Sequence, residues 1–351
     1  MHSKIEIFSN ISACQDKWEY LESVCNIDIF QSYKWNKIWA NNYLDLNNSK
    51  IFIVIFYKQD KPFFLIPLYK INFFFYTELR YMGDPLNDYN QPLIDPRVNI
   101  SQNEIDDIWN KIFNESKCDL INLNREKNDI HNFRYLSKFT KNNNIGGHYS
   151  DILTEWDHFY TDKKSKKARY NLKRQEKQLS KLGLINYTIK ESENIDFFLE
   201  KMIEFKSSFY NKNNIKNIFQ STIFKKKFIQ FYKNLNEKKL LSINCLYLNN
   251  KIIAIHIGYI YKNSFYYIFP SYNSKYKEYS PGILLLKFLM ENTFNNNFSK
   301  FDFTIGDEEY KSSWSNKSII ISETIRVFSI KGLIPYIIII IKKIVKRIIK
   351  K

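Results

Sequence analysis

The chain has 351 residues, 44% hydrophobic and 17% aromatic, which excludes a disordered polypeptide and gives enough length for about two cores. Its 53 Lys and Arg against 36 Asp and Glu leave a net charge of +17, which favours anionic partners: nucleotide phosphates, acidic glycans, RNA or anionic lipid. The four cysteines stand far apart with no C-x-x-C spacing and the five histidines are scattered, so no metal, zinc site or disulfide framework is expected.

The first ten residues, MHSKIEIFSN, lack the apolar stretch of a secretory signal, and a cytoplasmic location is expected. Residues 15–25 and 31–44 read as short helices, the second with Trp35, Ile38 and Trp39 on one face. A run of strands follows at 50–58, 61–70, 77–83 and 89–95, rich in β-branched and aromatic residues. Residues 101–115 then read as a helix and 118–124 as a strand, making a mixed α/β lobe over 1–158. Residues 159–183 carry a dense charge run ending at Gly183 and read as a basic helix linking two lobes.

The second lobe, 184–330, opens with a strand at INYTIK and helices at 193–212 and 222–238. Three antiparallel strands are predicted next, turning at Asn249-Asn250 and Lys262-Asn263. YSPGILLLKFLM then starts a helix abruptly, and FSKFDFTIG returns as a strand. In the tail, 331–351, Lys342, Lys343, Lys346, Arg347 and Lys350 recur on one helical face, and Ile338, Ile341, Val345, Ile348 and Ile349 fall towards the other. Too few uninterrupted apolar residues are present to span a bilayer, so this helix either lies on an anionic membrane surface or packs on the protein.

Several residue groups carry chemistry. Ser280 is expected as an N-cap, Pro281 suits the first helical position, and Gly282 leaves backbone uncovered. Such a helix start is an anion site, or else merely the cap of a core helix. In IIAIHIGYI, alternation places Ala254, His256 and Gly258 on one face, with room for a ligand beside a basic imidazole; the alternative is a buried histidine bonded to backbone. Asp307 and Glu308 follow a strand, and either one as a base or as a holder of a sugar amine competes with an acidic helix start. Arg169 and Arg174, two of few arginines, would clamp a phosphate or carboxylate, or lie on a solvated helix face.

The segments FQSYKWNKIWANNY, GDPLNDYNQPLID, KKARYNLKRQEK and, above all, the stretch from IIAIHIGYI to FDFTIGDEEYKSSW form an ordered set. That set resembles the GNAT-like acyltransferases related to cellulose and exopolysaccharide biosynthesis proteins, within the FemAB-like group of tandem GNAT folds. The resemblance covers roughly residues 28–326. It implies an α/β fold of two tandem GNAT-like lobes, and transfer of an acyl group from acetyl-CoA or another acyl-CoA to an amino sugar or glycan precursor. The donor would lie along the strand Phe265–Pro270 and at the helix start, touching Phe269, Tyr272, Tyr279, Ser280, Gly282 and Ile283. Where general GNATs carry a Gly-rich loop, this chain has the longer, aromatic PSYNSKYKEYSPG, with Lys275 and Lys277 available to add charge.

By the same resemblance, Tyr310 would protonate the departing thiolate, with Asp307 or His256 as the base. The acceptor would be held by Glu308 and Lys311, by Arg169, and by Asp84, Asp88 and Tyr89 of a loop that also reads as a plain turn. Two other functions compete. One is a FemAB-type peptidoglycan aminoacyltransferase using aminoacyl-tRNA, which would make tRNA a partner. The other is a non-catalytic GNAT-like protein that binds RNA or membrane.

Overall fold

The structure is a computed structural model that describes residues 4–44, 48–127, 140–190 and 194–349. The side chains of Lys346, Arg347, Ile348 and Ile349, and Lys350 entirely, lie outside the described residues. The chain divides into two compact units, Met1–Ile145 with Ile319–Lys351, and Gly146–Ser318.

Unit 1 runs through β1 (Lys4–Phe8), α1 (Gln15–Val24), α2 (Tyr33–Tyr43), β2 (Ser49–Lys58), β3 (Lys61–Asn72), β4 (Thr77–Tyr81), β5 (Leu93–Ile94), α3 (Gln102–Ser116) and β6 (Leu120–Lys127). β1 to β4 are successive antiparallel neighbours, and β6 lies parallel to β4, which requires a crossover that α3 supplies. A capping box of Ser101 and Glu104 starts α3. Its buried face of Ile105, Ile108, Trp109 and Ile112 covers Phe56, Phe64, Leu79 and Leu123 of the sheet.

The strand expected at 89–95 shrinks to Leu93–Ile94. Side chains satisfy part of the preceding backbone, Asn87 Nδ2 donating to the Met82 carbonyl at 3.0 Å and Gln31 Nε2 to the Tyr89 carbonyl at 2.8 Å, while the Asn90 N–H donates to the Arg125 carbonyl at 2.8 Å in an isolated bridge.

Unit 2 takes in β7 (Thr140–Asp151) from Gly146 onward, α4 (Trp156–Lys163), α5 (Lys166–Ser180), β8 (Ile185–Lys190), α6 (Ile195–Lys212), α7 (Thr222–Glu237), β9 (Leu241–Leu248), β10 (Lys251–Tyr261), β11 (Ser264–Tyr272), α8 (Pro281–Asn295), β12 (Lys300–Ile305) and α9 (Glu309–Trp314). Antiparallel pairs β8–β9, β9–β10 and β10–β11 are followed by a parallel pair, β11–β12, that α8 connects. β12 then pairs antiparallel with β7. Both predicted hairpin turns form, with left-handed φ of 47° and 63° at Asn249-Asn250 and 42° and 51° at Lys262-Asn263.

The chain then returns to unit 1 with β13 (Lys317–Val327) and α10 (Ile330–Ile349). β13 pairs antiparallel with β6, from Ile321–Lys127 to Val327–Leu120. Each unit thus has four antiparallel strands, a parallel partner reached through a helix, and one closing antiparallel strand. The closing strands do not follow chain order: β7 comes after β6 but closes unit 2, and β13 comes after β12 but closes unit 1. The limits expected at 158 and 330 therefore shift. Residues 159–183, expected to link two lobes, belong to unit 2, where Trp156, Phe159 and Leu179 share a core with Leu246, Leu285, Phe301 and Trp314.

One irregularity in unit 2 positions the site. Ile257 faces Phe269 and Tyr259 faces Tyr266, so Tyr267 and Ile268 on β11 together oppose Gly258 on β10. This is a β-bulge, which bends its strand and leaves an amide without a ladder partner. The Ile268 N–H donates to His256 Nε2 at 3.1 Å. Gly258 is required for close approach, since a Cβ there would sit 2.2 Å from the Tyr266 carbonyl oxygen and 2.4 Å from His256 Cε1. Gly258→Ala is expected to lower stability by about 1–3 kcal/mol through overpacking against backbone. Thermal unfolding checks this; an unchanged midpoint would show that the bulge has slack.

Candidate functional site

β11 and β12 pair over only three positions, Ser264–Lys300, Phe265–Phe301 and Tyr266–Asp302. The separation begins where the bulge begins. From Phe269 to Tyr272, β11 keeps its register with β10. A cavity of about 510 Å³ lies along this stretch, lined by Tyr267, Pro270, Ser271 and Tyr272 of β11. Ser280, Gly282 and Ile283 at the start of α8 close one side, and Lys206, Phe209 and Lys212 of α6 another. Glu308 and Tyr310 also line it.

Of the expected donor residues, Tyr272, Ser280, Gly282 and Ile283 line this cavity and two do not. Phe269 turns to α7, edge-on to Phe228 and Tyr232 at 5.6 Å and 5.9 Å. Tyr279 packs against the hydrophobic core of unit 2. Ser280 is not the side-chain cap the sequence suggests. Its backbone is left-handed, at φ 51° and ψ 48°, and its hydroxyl accepts from Gln175 Nε2 of α5 at 3.0 Å. Pro281 does occupy the first helical positions, and the first-turn amide of Gly282 lies at the cavity wall. Lys277 lines the cavity, whereas Lys275 does not.

His256 is fully buried, so the predicted space beside it is absent. Its ring stacks on Tyr267 at 4.3 Å, Nδ1 lies 3.2 Å from the Asn244 amide, and Nε2 takes the Ile268 N–H. Burial, with a smaller push from the Lys206 charge, lowers its pKa to about 3. With both nitrogens engaged, this imidazole holds the bulge.

The acidic pair divides. Asp307 Oδ1 accepts the Gly146 N–H at 2.9 Å, and Asp307 does not line the cavity. Glu308 does, with its side chain 56% exposed and 3.2 Å from Lys311 Nζ. Lys311 is buried and donates to the Ile305 carbonyl at 2.6 Å, so it positions Glu308 rather than lining the cavity. Gly306 permits this fold-over: its φ is +134°, and a Cβ there would meet Glu308 Oε2 at 2.2 Å. Tyr310 sits edge-on to Tyr267 at 6.4 Å, and burial, with Glu308 nearby, holds its hydroxyl well above the usual phenol range.

The remaining predicted acceptor residues do not line the cavity and engage other partners. Arg169 Nη1 donates to the carbonyls of Thr161 and Lys164 at 3.1 Å and 2.5 Å, capping the end of α4 where the predicted long helix breaks. Arg174 is exposed. Asp84 and Asp88, in unit 1, are paired with Arg80 at 3.2 Å and Arg125 at 3.5 Å, and Tyr89 is wholly buried against Phe30.

Lys206 was not singled out in the sequence. It donates to the Pro270 carbonyl at 3.2 Å, and burial lowers its ammonium to about 8, with Glu308 opposing that shift. Its signal is weak: Lys206 and Phe209 share a face of α6 at helical spacing, but a single lysine among so many carries little information. Among the described residues, no cluster of three or more His, Cys, Asp or Glu is placed to hold a metal ion.

Residues 166–312 match the sequence profile of the family described as an acetyltransferase (GNAT) domain. Among solved structures, FemX is similar with a TM-score of 0.65 at 12% identity, covering 93% of this chain and 98% of that one. A tandem GNAT protein from the clavulanic acid biosynthesis pathway follows with a TM-score of 0.56 at 6% identity, covering 93% and 98%. The chain is an acyltransferase with a tandem GNAT-like fold. The same fold occurs in the C-terminal domain of an assigned lysylphosphatidylglycerol synthetase from Agrobacterium fabrum, at a TM-score of 0.55 and 8% identity, covering 93% and 95%. No curated protein sequence matches this acyltransferase.

The buried histidine gives a pH test. A histidine of ordinary pKa, about 6.5 when unfolded, takes up its proton in the unfolded chain first. Stability from neutral His256 is therefore full above about 6.5 and is lost as pH falls towards about 3. Denaturant unfolding between those limits should show this loss in the parent chain and a flatter profile in His256→Gln. Equal profiles would mean that the ring is not held neutral.

Proposed function

We propose that unit 2 transfers an acyl group from a coenzyme A thioester to the amine of an amino sugar or related glycan precursor. The observation that carries this reading is the parting of β11 from β12 at the bulge, with the start of α8 beside the opening. An extended amide-bearing donor can hydrogen-bond along an unpaired strand edge. Its phosphates suit the positive end of a helix together with Lys277 and Lys212. The residues present fit that co-substrate: Tyr272 and Ile283 offer apolar walls, and Gly282 keeps the helix start bare.

In the reaction, the acceptor nitrogen bonds to the thioester carbonyl carbon and the carbon–sulfur bond breaks. Glu308 takes the proton from the amine, directly or through water, and Tyr310 gives its proton to the departing thiolate. A tyrosine held protonated by burial suits that second task. Asp307, engaged with Gly146, is left out of the chemistry. A lipid-linked acceptor met on the cytoplasmic side of a membrane would suit the isoleucine-rich, lysine-rich α10.

Acetyl-CoA should raise the melting temperature, and Gly282→Glu should remove the shift by placing bulk and negative charge at the helix start. No shift with any of several acyl-CoAs would overturn the donor assignment. One observation favours the aminoacyl-tRNA reading instead: Lys166, Lys167, Lys173, Arg174 and Lys177 of α5 are all exposed. Stabilisation by charged tRNA without a response to acyl-CoA would select that reading.

The carboxylates are separated by kinetics. Glu308→Gln should lower kcat by about 10²–10⁴-fold, the usual worth of a general base, with the donor KM little changed. Asp307→Asn should stay within a few-fold of the parent. The reverse ranking would return the base to Asp307.

A further inference from the structure

Unit 1 exposes two apolar features that the acyl-transfer reading does not use. The turn between β3 and β4 presents Phe73, Phe74 and Phe75, of which Phe74 is fully exposed and the others are 39% and 47% exposed. The turn is ordered: the Phe73 N–H donates to the Tyr76 carbonyl at 2.9 Å, and the two rings stack at 4.5 Å. The second feature is the stripe of Leu333, Ile334, Ile337, Ile338 and Ile341 on α10, every one at least 44% exposed. A helix with such a stripe ordinarily buries it.

Both features are rooted at Asp119. Its Oδ2 accepts the Thr77 N–H at 2.8 Å and the Thr77 hydroxyl at 3.0 Å, two residues after Phe75. Its Oδ1 accepts from the Ser329 hydroxyl, and its carbonyl accepts the Phe328 N–H at 2.9 Å. Gly332 is pressed onto the same carbonyl, because a Cβ there would come within 2.1 Å of the oxygen. The phenylalanine turn and the first turn of α10 therefore start from one residue. Around them Lys117, Lys331 and Lys342 are exposed, and the chain continues into further Lys and Arg.

We propose that this surface of unit 1 docks on an anionic lipid bilayer, with the phenylalanine turn inserted as a wedge and the stripe of α10 lying in the interface. Three consecutive exposed phenylalanines suit the acyl-chain boundary, and lysines beside an apolar face suit anionic headgroups. The contact is interfacial, since no described helix is long and apolar enough to cross a membrane. The surface lies wholly in unit 1 and does not depend on the identity of the acyl donor.

The test is an environment-sensitive thiol dye on full-length Phe74→Cys. The four native cysteines are buried, which directs the label to the new thiol. Vesicles of phosphatidylcholine with phosphatidylglycerol should blue-shift the dye, salt should weaken the shift, and phosphatidylcholine alone should give little. In sedimentation with the same vesicles, changing Phe73, Phe74 and Phe75 to Ser should weaken binding by at least roughly tenfold, as should Ile337→Asn with Ile341→Asn. Unchanged melting temperatures would show that these exposed substitutions leave the fold intact. Three results would each overturn the proposal: no sedimentation of the parent chain, sedimentation without a dye shift, or a concentration-dependent shift without vesicles, which would assign the surface to a second copy.

Discussion

The arrangement of unit 2 depends on one hydrogen bond, from the Ile268 amide to His256 Nε2. Two residues of β11 stand opposite one residue of β10, and the extra amide needs an acceptor that the ladder does not supply. The imidazole provides it from within the sheet. Gly258, lacking a side chain, lets the Tyr266 carbonyl approach. The bent strand loses β12 after Tyr266, and the cavity opens there. A buried, neutral histidine and a strand-interior glycine thus keep open a gap that a straight sheet would close.

Around that gap two polar groups are positioned by others. Lys311, buried beneath Gly306, holds Glu308 at the cavity, and Gln175 holds Ser280 in a left-handed conformation at the entrance to α8. Lys206 brings a partly desolvated ammonium to the strand edge. Phe209, Tyr267, Tyr272 and Tyr310 supply the aromatic part of the walls. Unit 1 has the same strand pattern but closes its corresponding loop with buried amides and arginine–aspartate pairs. The cavity is lined by unit 2 residues alone.

Much of this was legible from the sequence where local chemistry decides the outcome. Asn249-Asn250 and Lys262-Asn263 announce tight turns because those residues tolerate positive φ, and both turns form. Pro281 marks the start of α8 for a comparable local reason. Tyr310, Glu308, Tyr272 and Gly282 were singled out and line the cavity. Non-local pairing was not legible. Chain order suggests that β7 completes the first lobe and β13 the second, whereas the registers with β12 and β6 assign them the other way. The alternating pattern left His256 either a ligand-facing base or a buried histidine bonded to backbone; the structure shows the second, through a bulge that such a pattern does not reveal. Asp84, Asp88 and Arg169 looked available because a sequence does not reveal that Arg80, Arg125 and the end of α4 already engage them.

The central claim is that the donor lies along the part of β11 that leaves β12. Hydrogen–deuterium exchange with and without acetyl-CoA addresses it directly. The account predicts slower exchange in peptides spanning Tyr267–Tyr272 and Ser280–Ile283, with unit 1 unchanged. Binding of acetyl-CoA that leaves both peptides unprotected, or that protects unit 1 instead, would contradict it.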